Sequence, residues 1–98
     1  MEVVFKIKKQ DLQKVKNVIL KDEVVSKASI IFKESGGLGL KGNDYYCYIS
    51  GLEETCNKAK GLMKNLGKIA NKKDTERVIT QIKSEEESAM TGFSSIFG

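Results

Sequence analysis

The sequence predicts an α+β fold, with one antiparallel sheet layered against helices. Three observations predict it. Three short runs alternate in period two, as strands with one buried face do. Two other stretches space their apolar residues three and four apart, as amphipathic helices do. Between the second and third runs lie Gly36, Gly37, Gly39 and Gly42, then Asn43 and Asp44, which is hairpin chemistry.

Glu2 to Lys8 is the first strand, with Val3, Phe5 and Ile7 on one face and Val4, Lys6 and Lys8 on the other. Asp11 to about Leu20 is a helix on the stripe Leu12, Val15, Ile19, widened by Val18, with Asp11 as N-cap or first-turn acid. Lys14, Lys16 and Lys21 face outward. Val24 to Lys33 is the second strand, where Ala28, Ile30 and Phe32 alternate with Ser29, Ile31 and Lys33. Asp44 to Ser50 is the third. Its aromatic and β-branched residues suit a pleated surface. Tyr45, Cys47 and Ile49 share one face, and Tyr46, Tyr48 and Ser50 the other. The turn before it lies at Ser35-Gly36-Gly37, or at Lys41-Gly42-Asn43-Asp44 with Leu38 and Leu40 continuing a strand.

Ser50 to Glu53 matches the S-x-x-E capping box. The stripe Leu52, Cys56, Ala59, Met63, Leu66 then predicts a second helix, with Gly67 as a left-handed residue past its end. Lys68-Ile69-Ala70 is a short fourth strand, and Asn71 to Lys73 a polar joint. From Asp74 a third helix is carried by Val78, Ile79, Ile82, Ala89 and Met90, its apolar face interrupted by Glu85-Glu86-Glu87.

The first six elements match the order β-α-β-β-α-β of the ferredoxin-like two-layer sandwich, with a weak fourth strand and an added C-terminal helix. Residues 1–72 form the sandwich core. Residues 73–98 form the C-terminal helix and apolar tail of the same single domain.

Ninety-eight residues support one modest core. The hydrophobic fraction is 40% and the charged fraction 31%, as in a globular chain. No run approaches a membrane span, and no signal-peptide pattern follows Met1, so a cytoplasmic location is expected. Lys and Ile usage without His, Pro or Trp points to an archaeal or thermophilic source.

The absence of histidine removes the commonest general base and metal ligand. Cys47 and Cys56 cannot make a four-thiolate zinc site and are read as small buried residues. The net charge is +4. Residues 1–72 carry 14 Lys against 8 Asp plus Glu, a net +6, and residues 73–98 carry 3 Lys plus Arg against 5 acids, a net −2. A basic body is compatible with polyanion binding. Gly37-x-Gly39-x-x-Gly42 matches the dinucleotide fingerprint, but that site needs a strand before it and a helix after it. Here it falls between two strands.

These observations predict a non-catalytic binding or interaction module with no catalytic residue, cofactor or metal. The first expectation is self-association or a protein partner, with Phe93, Ile96 and Phe97 of the terminal TGFSSIFG as anchors. The second is single-stranded RNA or DNA on an open sheet face, with Tyr46 and Tyr48 stacking bases and Lys6, Lys8 and Lys33 holding phosphates. The topology resembles the RNA-recognition-motif family, and Lys41-Gly42 followed by Tyr46 and Tyr48 resembles part of its RNP1 strand. That resemblance implies bases stacked on the open face. The chain departs from the family in the spacing from Gly42 to the tyrosines, and Phe5 faces the core. The third expectation is a small ligand or Ca²⁺/Mg²⁺. It rests on the glycine loop for an anion and on Asp22, Glu23, Asp44, Glu53 and Glu54 for a cation.

Overall fold

The structure, a computed structural model, describes residues 1–40 and 42–97, with side chains as far as Glu86. Strand β1 spans Glu2–Ile7, helix α1 Leu12–Lys21, β2 Ser29–Glu34, β3 Tyr45–Ser50, α2 Glu53–Leu62, β4 Lys68–Ile69 and α3 Lys72–Phe97. The four strands form one sheet in the order β2-β3-β1-β4. Every neighbouring pair is antiparallel.

The period-two reading sets the sides of the sheet correctly. Val3, Phe5, Ile7, Cys47 and Ile49 meet Val15 and Ile19 of α1 and Cys56, Ala59 and Met63 in one buried cluster. Ala28, Ile30, Phe32 and Tyr45 pack against its margin. Lys16 lays its ammonium 5.5 Å from the centre of the Phe32 ring, a cation–π contact.

The opposite face is a second core. Val4, Tyr46 and Tyr48 pack with Leu38, Ala70, Val78 and Ile82. Helix α3 supplies Val78 and Ile82, so the added helix closes the face that a four-stranded sandwich leaves open. The helix starts firmly. The Asn71 side chain accepts the Asp74 N–H at 2.7 Å, and the Thr75 hydroxyl donates to the Ala70 carbonyl at 3.2 Å. Asn71, read from sequence as a polar joint, is thus the N-cap of α3.

Several local expectations are corrected. Residues 24–27 are not strand. A 3-10 turn at Val25–Lys27 precedes β2, because the Asp22 carboxylate accepts the N–H groups of Val24 and Val25, both at 2.9 Å. Asp11 stands at the N-cap of α1, but its side chain makes no capping bond. The Ser50–Glu53 capping box does not form. Ser50 ends β3, Leu52 takes the N-cap position, and no side-chain cap bond is made. Leu52 is therefore 75% exposed instead of lining the core.

Gly67 is not left-handed. Among the described residues only Gly39 and Gly42 have positive φ, at 72° and 100°. Gly67 is needed for closeness, because a Cβ there would lie 3.0 Å from the Lys6 carbonyl oxygen and 3.1 Å from the Met63 methyl.

The glycine-rich connection is neither of the two tight turns expected. The described residues of this connection, 35–40 and 42–44, are closed by Ser35, whose N–H donates to the Asp44 carbonyl at 3.0 Å and whose hydroxyl donates to the Gly42 carbonyl at 2.7 Å. Gly36–Leu38 is a 3-10 turn ended by left-handed Gly39. Leu38 and Leu40 extend no strand. They fold onto the second core.

Candidate functional site

Two places on the molecule gather chemistry. The first is the tyrosine face. The strand register sets Tyr46 between Lys6 and Lys33, and Tyr48 between Val4 and Ile31. Four of the five residues expected to hold nucleic acid are therefore neighbours on one face. They are not open to solvent, since Tyr46 is 1% exposed and Tyr48 8%. Both rings lie under α3 and offer no free π-face to a base.

The groups around these rings are satisfied internally. The Tyr46 hydroxyl donates to Asp74 at 3.1 Å. Burial, and after it the Asp74 carboxylate, pushes the Tyr46 hydroxyl up to about 12. Burial likewise raises Tyr48. Lys33 bonds Glu85 at the exposed rim of the second core, and this bond holds the Glu85 carboxyl below the usual range. Arg77 donates from Nε to the Leu38 carbonyl at 2.9 Å, which ties the glycine loop to α3. The G-x-G-x-x-G stretch thus serves as a docking loop for a helix. Lys41, part of the RNP1-like pattern, lies outside the described residues, as do the side chains of Phe93, Ile96 and Phe97.

The second place is a cleft of about 440 Å³ beside the end of β1. Lys6, Lys8 and Asp11 line it from β1 and the turn that follows, and Asp44 lines it from the glycine loop. Lys64, Asn65, Leu66, Gly67 and Lys68 line it from the α2–β4 connection. The close fit of Gly67 on the Lys6 carbonyl brings that connection against β1. Lys6 pairs with Asp44 at 3.5 Å. Sequence reading placed Lys6 and Lys8 on a basic strand face, but not Lys64 or Lys68 near them. Only the antiparallel β1–β4 pairing, which sets Lys6 opposite Lys68, brings the two segments together.

The cysteines form no disulfide. Both are free and buried, and burial pushes the Cys47 thiol up to about 12. Of the carboxylates weighed for a cation, Asp22 is engaged by two backbone amides and by Lys58 at 3.2 Å, and Asp44 by Lys6. Among the described residues no three His, Cys, Asp or Glu side chains converge on a point. Among them, too, no helix is long and apolar enough to cross a membrane. Comparison of the chain with models of known protein families, with curated proteins and with solved structures finds no match.

Proposed function

We propose that this chain is a non-catalytic interaction module on a ferredoxin-like sandwich, and that its partner is a second copy of itself. The strand order β2-β3-β1-β4, with α1 and α2 packed on one face, supports the fold reading. The observation that carries the functional reading is the length of α3. It runs for 26 residues, about 39 Å at the helical rise. Among the described residues, Val78, Ile79 and Ile82 are the ones it packs into the second core. Beyond Ile82 the apolar face is interrupted by Glu85-Glu86-Glu87, and helical apolar spacing resumes with Ala89, Met90, Phe93, Ile96 and Phe97. A helix of this length with apolar residues along so much of it is a basis for helix pairing.

Nucleic-acid binding through the tyrosines draws no support from this arrangement, because α3 occupies the face a base would need. Multi-angle light scattering tests the self-association reading. The full chain is expected as a dimer or larger species, and as a monomer after deletion of residues 92–98 or in the Phe93→Asp/Phe97→Asp variant. A full chain that is monomeric, with both variants unchanged, overturns it.

A further inference from the structure

We propose that the cleft between β1 and the α2–β4 connection is a binding site for a small molecule carrying two or three linked phosphates. This goes beyond self-association and rests on different residues.

Charge is the first argument. Four lysines (Lys6, Lys8, Lys64, Lys68) line the same concavity as two acidic residues, Asp11 and Asp44. Asp44 is committed to Lys6. Among the described residues Lys8, Lys64 and Lys68 pair with no carboxylate. Like charges gathered at one concavity repel, and a multivalent anion bound among them relieves that repulsion. Lysine ammonium groups act as point charges that donate to phosphate oxygens from many directions.

Shape is the second argument. A volume of about 440 Å³ lies within the range of small-ligand sites and exceeds what a single phosphate fills. The lysines come from two chain segments, and a chain of phosphates presents charge to both.

Rigidity is the third. The α2–β4 connection is held by N–H bonds from Leu66 and Gly67 to the Met63 carbonyl, at 3.0 and 3.1 Å. Met63 itself is buried in the first core. Lys68 then enters the sheet opposite Lys6. The stems of Lys64 and Lys68 therefore leave a fixed frame, so little backbone must be ordered on binding.

The geometry also gives Asp44 a restraining role. By pairing with Lys6 it removes one ammonium from the site, so neutralising it should tighten binding while removing a lysine should loosen it. A purely structural part for these residues predicts no such opposite signs.

The experiment is isothermal titration calorimetry of the full chain with sodium tripolyphosphate, with melting temperature as a second readout, because a ligand of the native state raises it. One site per chain is expected, weakened by salt as exposed charge pairs are. Lys64→Ala/Lys68→Ala should weaken it at least about tenfold, the loss expected of one charge-assisted contact. Lys14→Ala/Lys21→Ala removes the same charge from α1 and should leave it unchanged, and Asp44→Asn should strengthen it. ATP run in parallel separates two sources of one chemistry. Equal affinity assigns the phosphate chain alone, and tighter binding of ATP assigns a nucleotide. No binding, or equal weakening in both double-lysine variants, overturns the proposal.

Discussion

The two faces of the sheet are built from different chemistry. Under α1 and α2 the core is almost wholly apolar: Phe5, Ile7, Val15, Ile19, Ile49, Ala59 and Met63, with two thiols. Under α3 the core holds two tyrosines, and polar bonds stitch its rim: Tyr46 to Asp74, Arg77 to Leu38, Lys33 to Glu85. The first face is held by apolar area removed from water, a non-directional force. The second adds directional bonds that fix where α3 docks. Such bonds contribute modestly to stability, but leaving one half-made inside is expensive. The difference teaches that a tail helix can be recruited to a sheet with few apolar residues, provided its polar neighbours fix the register.

Substitutions sharpen this contrast. The largest loss is expected from Phe5→Ala, about 3–5 kcal/mol in denaturant unfolding, since it empties the apolar core at its widest side chain. Ile82→Ala on the other face should cost about 2–3 kcal/mol. A loss under about 0.5 kcal/mol there would mean that α3 rests on the sheet without sharing its stability.

Tyr46→Phe should cost about 1 kcal/mol at neutral pH by removing the bond to Asp74. It should also change the alkaline limb of stability. The hydroxyl is raised from 10.0 to about 12, so the native state keeps a proton that the unfolded chain loses first. The stability from this group is present below pH 10 and falls as pH rises toward 12. Cys47, raised from 9.0 to about 12, behaves alike and begins to contribute to the loss at lower pH. In Tyr46→Phe the fall from pH 10 to 12 should be shallower, and an unchanged slope would mean that Tyr46 is not buried.

The smallest effect is expected from Asp22→Asn. The N–H of Val25 leads the bonds that hold the Asp22 carboxyl below its usual range. Its contribution is therefore present above the ordinary value of 3.8 and lost as pH falls through and below it. The variant should show less acid loss than the parent, and an equal loss would mean that this turn is not held by the carboxylate.

The same contrast explains what could be read in advance. Strand faces were legible because Val3, Phe5, Ile7 and Cys47, Ile49 alternate in a two-residue period that one buried side enforces. The second core was not, although Val4, Ile31, Tyr46 and Tyr48 all lay on the face left open. Their cover comes from Val78 and Ile82, about thirty residues after β3 in the chain, and periodicity carries no information about which sheet a helix meets. The ten-residue loop failed for a related reason. Leu38 and Leu40 suit a strand locally, but Arg77 and the second core draw them away. The Ser50–Glu53 capping box matched its pattern and still did not form, because β3 pairing holds Ser50 extended. The basic cleft depends on β4, two residues long, whose strand was expected from the element order but whose register, Lys68 opposite Lys6, was not.

Native-state amide hydrogen exchange tests the central claim, that α3 closes the tyrosine face as part of one cooperative unit. The amides of Val78 to Glu85 are predicted to open with a free energy close to that of β1 and β3. Exchange of those amides near the rate of an unprotected chain, with the strands still protected, would contradict it and return Tyr46 and Tyr48 to the surface.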